Sequence, residues 1–334
     1  MTLEALEDEL SKPSEADCVT MRRLEGDVLV MGAGGKMGPS LARLARRAAD
    51  AAGVPRRIMA VSRFATPDLK QQLTDWGVEA ISCDLLDRDQ VARLPACPNV
   101  LFLAGRKFGS TGNQPLTWAT NVLLPAMAAD RYRGSRIVAL SSGNVYPLGG
   151  VGATERTAPS PVGEYAQSVL GRERVFEYFS VRDNTPVALL RLNYANDLRY
   201  GVLLDIGQRV WDRRPVPLAV GAVNVIWQRD ANSVCLRALA LASSPPLVLN
   251  VTGPDVLEVR RIAARFAEIF GIEPLFEGAE TETALLSDSS LCCRLMGPPT
   301  MGPEEMIEMT AEWIRAGRPT LSKPTHFEVR DGAF

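Results

Sequence analysis

Val28-Leu29-Val30-Met31-Gly32-Ala33-Gly34-Gly35-Lys36-Met37-Gly38-Pro39-Ser40 is the stretch on which the fold of this chain turns. Its four opening apolar residues have the length of a strand, and the periodic stretch from Ser40 to Ala52 has the length of a helix. Gly32, Gly35 and Gly38 stand between them in a Gly-x-x-Gly-x-x-Gly spacing. Gly32 suits a tight turn with positive φ, Gly35 lets backbone N–H groups come close to an anion, and Gly38 lets the helix pack closely on the strand. The positive end of the helix then faces a pyrophosphate. Lys36 and Met37 lie within the same turn, where Lys36 either adds charge to the anion site or is simply solvated. A glycine turn without a ligand is the plain alternative; the flanking strand and helix argue against it.

The chain has 334 residues, 46% hydrophobic and 23% charged, which is ample for one large domain or two intimate ones. A net charge of −2 excludes the basic character expected of a nucleic-acid or acidic-membrane partner. No apolar run reaches the roughly 18 residues needed to span a bilayer, and the acidic start lacks the order of a signal peptide. A cytoplasmic protein is expected, with no membrane and no nucleic acid among its partners. The six cysteines show no metal-ligand spacing and read as reduced thiols. His326 is the one histidine, so a His-rich zinc site or a Ser-His-Asp triad would have to be built around it. No metal site is expected.

Beyond the opening motif, strand-length apolar runs at 58–61, 78–82, 99–104, 136–141 and 186–192 alternate with helical patterns at 67–76, 87–94, 115–130 and 164–181. This alternation is the pattern of a parallel sheet covered on both faces. The spacing therefore predicts an α/β fold, a Rossmann-type doubly wound parallel sheet with a smaller C-terminal substrate-binding cap. Residues 1–25 read as an acidic extension with one short amphipathic helix ending at Lys12-Pro13. Residues 26–195 read as the dinucleotide-binding domain, with 222–250 returning to it. Residues 196–221 and 251–334 read as the cap.

Two strand ends bear on the nucleotide. The second predicted strand ends in Ser62-Arg63, and Arg there suits the 2′-phosphate of NADP, where an acidic residue would suit the ribose of NAD. NADP is expected, with NAD as the alternative. Asp84, before Leu85, either accepts the amino group of an adenine or caps the helix that begins near Asp87. The fifth strand runs into Ser141-Ser142-Gly143-Asn144-Val145-Tyr146, and Tyr165 follows on a helix.

Taken with Asp84-Leu85, Ala104-Gly105, Asn121, Gln228-Arg229-Asp230 and Leu249-Asn250-Val251-Thr252-Gly253, these motifs resemble the extended short-chain dehydrogenase/reductases, a family of nucleotide-sugar epimerases, dehydratases and reductases. The likeness runs through nearly the whole chain. It implies cofactor contacts at Gly32, Gly35, Lys36, Met37, Gly38, Ser62, Arg63, Asp84, Leu85, Ala104 and Gly105. It also implies that Ser142 hydrogen-bonds a substrate oxygen, that Tyr165 exchanges its proton and touches the cofactor, and that Asn193 contacts the nicotinamide edge. A homodimer through the helices at 115–130 and 164–181 is implied too.

Two departures stand out. The family places a Lys four residues after the Tyr, and this chain has Val169. An unassisted phenol with a pKa near 10 is only about 0.1% ionised at pH 7, so Tyr165 needs a cation to serve as a base. Lys107 is the first choice for that catalytic role, with Arg106 and Arg172 as further cations; substrate or phosphate binding and plain solvation are the competing readings of the loop cations. The second departure replaces the family's Gly-Pro turn with Asn196-Asp197-Leu198-Arg199-Tyr200-Gly201, so no nucleotide-sugar specificity transfers. The expected function is that of an NAD(P)-dependent oxidoreductase or epimerase acting on a carbonyl or secondary alcohol of a sugar or sugar-acid derivative. A dinucleotide-binding protein with little or no turnover is the second reading, and a lyase or dehydratase the third.

Overall fold

In the computed structural model, which describes residues 1–64, 67–107, 109 and 112–333, seven strands form one parallel sheet. They are β1 (Val28–Met31), β2 (Ile58–Ser62), β3 (Glu79–Ser82), β4 (Asn99–Phe102), β5 (Arg136–Ser142), β6 (Val187–Leu192) and β7 (Leu247–Val251). Their spatial order is β7-β6-β5-β4-β1-β2-β3. The order reverses between β1 and β4, and such a switch point opens a crevice at the carboxyl ends of the strands. The glycine turn leaves β1 at that place.

The sheet is apolar because it is covered on both faces. Along β1, Val28 and Val30 point into a core shared with the helices Gly38–Ala51 and Gln228–Ala238. Leu29 and Met31 point the other way, into a core closed by the helices Leu124–Arg131 and Gly163–Asp183. β3, at the edge, has an exposed first and last residue, and Arg57 covers its start through an ion pair of 2.8 Å with Glu79. A third core gathers Val202, Ile206, Val223, Phe266, Ile307, Trp313 and Phe327 around the helices Val202–Trp211, Val259–Phe270 and Pro303–Arg315.

The first 25 residues hold two helices, Leu3–Leu10 and Glu15–Arg23, where the apolar spacing predicts one. Ser14 and Asp17 form a reciprocal capping box that restarts the helix immediately after the Lys12-Pro13 break. Leu6 and Leu10 are fully buried in the third core, while Met21 is buried against the sheet. Residues 222–227 hold two short strands, Ala222–Val223 and Ile226–Trp227, paired outside the main sheet. All six cysteines are free thiols. No helix among the described residues is long and apolar enough to cross a membrane.

Candidate active site

The glycine turn is shaped by close approach. Gly32 has φ +84°, and a Cβ on it would lie 2.6 Å from the backbone nitrogen of Ala104. A Cβ on Gly38 would lie 2.4 Å from the carbonyl oxygen of Ala33, so only glycine lets this helix start so near the turn. Gly34 and Gly35 are exposed at the mouth between them, and a Cβ on Gly34 would meet the Ser62 hydroxyl at 2.5 Å. Met37 is buried in the core beneath. These bare backbone positions at the head of a fourteen-residue helix fit a dinucleotide's pyrophosphate. Arg63 is exposed at the end of β2.

Asp84 does not cap the helix that follows. Its Oδ1 accepts the backbone N–H of Leu86 at 3.0 Å, an Asx turn, and the cap of the helix Arg88–Arg93 is Asp87, which accepts from Asp89 and Gln90. Leu85 is buried in the sheet core, and Ala104 and Gly105 continue β4 towards the crevice.

Ser142 ends β5, and its hydroxyl meets Asn144 Oδ1 at 2.9 Å. The Tyr165 hydroxyl is hydrogen-bonded to Ser142. Burial pushes the Tyr165 phenol up, while the Arg172 charge and the Ser142 hydrogen bond pull it down. The helix Gly163–Asp183 delivers these groups on one face: Tyr165, Ser168, Val169, Arg172 and Glu173 recur at helical spacing. Val169 packs with Val145 and Tyr146 in a small apolar cluster.

Arg172 lies three residues beyond Val169 on the same helix. Its guanidinium is buried, donating to Leu140 O at 2.7 Å and to Asn121 Oδ1 at 2.6 Å, and its Nε is buried without a partner. Asn121 lies in a π-helical turn, Ala119–Leu123, and all four of its amide hydrogen bonds are used. It accepts from Arg172 and the Arg106 N–H, and donates to Arg106 O and to Ser168 Oγ. The π turn thus ties the β4 loop to the helix that carries Tyr165. Next along the helix, Glu173 pairs with Arg191 at 2.7 Å with both side chains buried, and Arg191 donates to the Tyr146 hydroxyl at 2.8 Å. Ser141 donates to the same carboxylate, which fixes the end of β5.

Lys107 reaches the same cavity. Its Nζ stands 6.0 Å from the centre of the Tyr165 ring and donates to Thr325 O at 3.0 Å. Lys36 is not solvated at the turn: its Nζ sits 3.4 Å above the Tyr200 ring and 3.5 Å from Ala195 O. Burial pulls Lys36 down to about 7 and Lys107 to about 8, with Asp205 opposing in both cases. Asn193 lines the cavity, yet its amide is held by Asn224 Oδ1 at 2.8 Å and Leu285 O at 3.1 Å. Asp205 and Thr325 were invisible to sequence reasoning, and Tyr200 stood out only as part of the turn that departs from the family. Thr325 in particular sits in a tail without periodicity, yet its N–H and hydroxyl both bond Asp205, at 2.7 and 2.5 Å.

The Rossmann-type sheet thus presents Ser142 at the carboxyl end of its fifth strand and Tyr165 on the helix Gly163–Asp183 beside it. Residues 28–195 match the NAD dependent epimerase/dehydratase family, and the chain belongs to that family. Among solved structures it is similar to MoeE5 in complex with UDP-glucose and NAD, at 21% identity and a TM-score of 0.71 over 87% of this chain and 99% of that one. It is also similar to a UDP-glucose 4-epimerase from Thermotoga maritima with UDP-glucose, at 18% identity and a TM-score of 0.70 over 87% and 99% of the two chains. A third likeness is to Pal from Bacillus thuringiensis, at 17% identity and a TM-score of 0.72 over 87% and 100%. No curated protein matches the sequence.

Proposed function

We propose that the protein is an NAD(P)-dependent oxidoreductase or epimerase acting on a carbonyl or secondary alcohol of a sugar or sugar-acid derivative. The observation that carries this reading is the Ser142–Tyr165 hydroxyl pair, hydrogen-bonded at the mouth of a cavity beside the glycine turn. A nicotinamide dinucleotide held at Gly34, Gly35 and the helix behind them would supply the hydride chemistry. Ser142 polarises the substrate oxygen, and Tyr165 gives or takes its proton. Arg172, fixed by Leu140 and Asn121, biases the phenol towards phenolate in place of the family's Lys. The missing Lys is the support for a binder without turnover, and the buried guanidinium supplies what that Lys would have supplied.

Arg63 is proposed to read a 2′-phosphate and favour NADP; the NAD printed for similar structures is the competing reading. A homodimer is proposed through the two helices at 114–131 and 163–183, whose outer faces expose Leu116, Leu123, Tyr178 and Val181. The test is titration of the purified protein with NADPH and NADH, followed by a screen of sugars and sugar acids with Tyr165→Phe as control. Failure to bind either nucleotide, or turnover indifferent to Tyr165→Phe, overturns the proposal.

A further inference from the structure

The turn Asn196-Asp197-Leu198-Arg199-Tyr200-Gly201, which replaces the family's Gly-Pro turn, forms part of the wall of the cavity beside Ser142 and Tyr165. Tyr200 and Gly201 line that cavity, and the Tyr200 ring lies over Lys36, whose Nζ is 3.4 Å from the ring centre. The turn closes on itself: Asp197 N–H donates to Tyr200 O at 2.8 Å, and Tyr200 N–H donates to Asp197 O at 3.1 Å. Arg199 then ties the closed turn to its surroundings. Its guanidinium grips the Asp197 carboxylate, a fully buried side chain, at 2.6 Å, and its carbonyl oxygen accepts from Leu321 N–H of the C-terminal tail at 3.0 Å. The remaining Nη1 donates to Glu7, on the first helix, Leu3–Leu10.

That helix is held firmly enough to act as an anchor. Leu6 and Leu10 are fully buried in the third core with Leu198 and Val202, the two residues that flank Arg199-Tyr200-Gly201. Asp8 pairs with Arg43 at 2.6 Å and Glu9 with Arg229 at 2.5 Å, on two helices that cover the sheet. Three successive acids therefore reach three different elements, and Glu7 is the one that reaches the turn. The Glu7 and Arg199 side chains are each only 13% exposed, so salt screens this pair less than it would an open surface pair. Helix and turn both lie outside residues 28–195, which match the family.

Resting on the proposed function, which makes this cavity the reaction site, we infer that Glu7 is a positioning residue: through Arg199 and Asp197 it fixes the turn that lays Tyr200 over Lys36, so the N-terminal helix shapes part of the substrate wall. The effect is electrostatic as well as steric. Burial draws Lys36 down to about 7, with Asp197 opposing, Lys107 adding to the fall and Asp205 opposing. Loosening the turn admits water to the ammonium and frees Asp197 from Arg199, and both changes return Lys36 towards its ordinary 10.5.

The chain has five lysines, so carbon-13 labelling of lysine in the full protein gives five side-chain signals, and that of Lys36 is assigned by its loss in Lys36→Met. Following that signal by NMR from pH 5 to 10 tests the inference. Glu7→Ala and Arg199→Met should each move the Lys36 titration upwards by about one pH unit or more. Glu7→Gln keeps an oxygen for Arg199 and should restore part of the wild-type behaviour. Asp8→Asn weakens the same helix at Arg43 but leaves Glu7 in place, and should move the Lys36 titration by less than about 0.2 pH unit. A Lys36 signal unmoved in Glu7→Ala, or moved equally in Asp8→Asn, overturns the inference; should Arg199→Met not fold, Glu7→Ala decides alone. The NMR titration uses no ligand, so failure to bind nicotinamide dinucleotide, or turnover indifferent to Tyr165→Phe, overturns the proposed function and leaves Glu7's hold on the turn standing.

Discussion

Arg172 occupies the space that Gly105 leaves by having no side chain: a Cβ on Gly105 would stand 2.4 Å from Nη2 of the guanidinium. Because Nη2 is also bonded to Asn121 and Nη1 to Leu140, the guanidinium has nowhere to retreat. Gly105→Ala should therefore cost about 1 kcal/mol of stability and move the Tyr165 phenol upwards, since its displaced cation no longer lowers it. The phenolate band near 295 nm, read as wild type minus Tyr165→Phe at each pH, checks this; an unchanged titration would refute the link between Gly105 and Tyr165.

Removing the guanidinium itself should act more strongly. Arg172→Met should lower turnover by about 10²-fold and raise the phenol's titration, at a stability cost of about 1–3 kcal/mol for the unpaired Leu140 carbonyl. Val169→Lys added to Arg172→Met moves the charge to the family's position and should return part of the turnover without returning the stability. Rates and urea midpoints measured together distinguish support of the phenol from simple packing.

Tyr165→Phe should reduce kcat by about 10²- to 10⁴-fold while leaving dinucleotide affinity within about threefold, because it removes a proton carrier and little area. Ser142→Ala should lower kcat less, since Asn144 and Tyr165 remain to order the substrate oxygen. Single-turnover rates in the presence of saturating cofactor are the measurement.

Lys36 sets a pH dependence whose sign is fixed. The unfolded chain ionises Lys36 at its ordinary 10.5, whereas burial in the folded protein draws it to about 7. Between these values the unfolded state binds more protons, so this group's contribution to stability rises with pH across the window and is at its worst below pH 7. Lys36→Met removes that penalty. It should exceed wild type in stability at pH 6, by on the order of 1–2 kcal/mol given the half-buried position, with the gain shrinking as pH rises from 7 towards 10.5. Thermal unfolding at pH 6, 8 and 10 gives the comparison, and a gain that grows with pH would contradict the burial of the ammonium.

Arg63 stands exposed where β2 ends, and its charge is the proposed reader of a 2′-phosphate. Arg63→Asp should shift the NADPH to NADH affinity ratio towards NADH by about 10- to 100-fold, the worth of one charge-assisted hydrogen bond plus a new repulsion. Paired fluorescence titrations decide it.

The sheet was readable because its signals are local. A buried parallel strand such as Val28–Met31 needs apolar residues on both faces, and Gly32 and Gly38 are dictated by contacts within one strand–turn–helix unit. Ser142 and Tyr165 were equally accessible, since each is fixed by the element that carries it. Arg172 could be placed on Tyr165's helix face by counting, but the hold on its guanidinium depends on Asn121, Gly105 and Leu140, which come from three other elements. Lys36 shows the same limit: a turn lysine looks solvated until Tyr200, far along the chain, closes over it. The tail was unreadable for another reason. Its order comes from Asp205, Arg199 and Thr283, none of them a sequence neighbour, so Thr325 and Phe327 show no period to detect.

That tail gives the molecule an uncommon route to change. Here one side of the chamber is a ribbon anchored by separable stitches at Leu321, Thr325 and Arg330. Exchanging that ribbon for one of different composition would reshape what the chamber admits while leaving the nucleotide crevice and the Ser142–Tyr165 pair where they are.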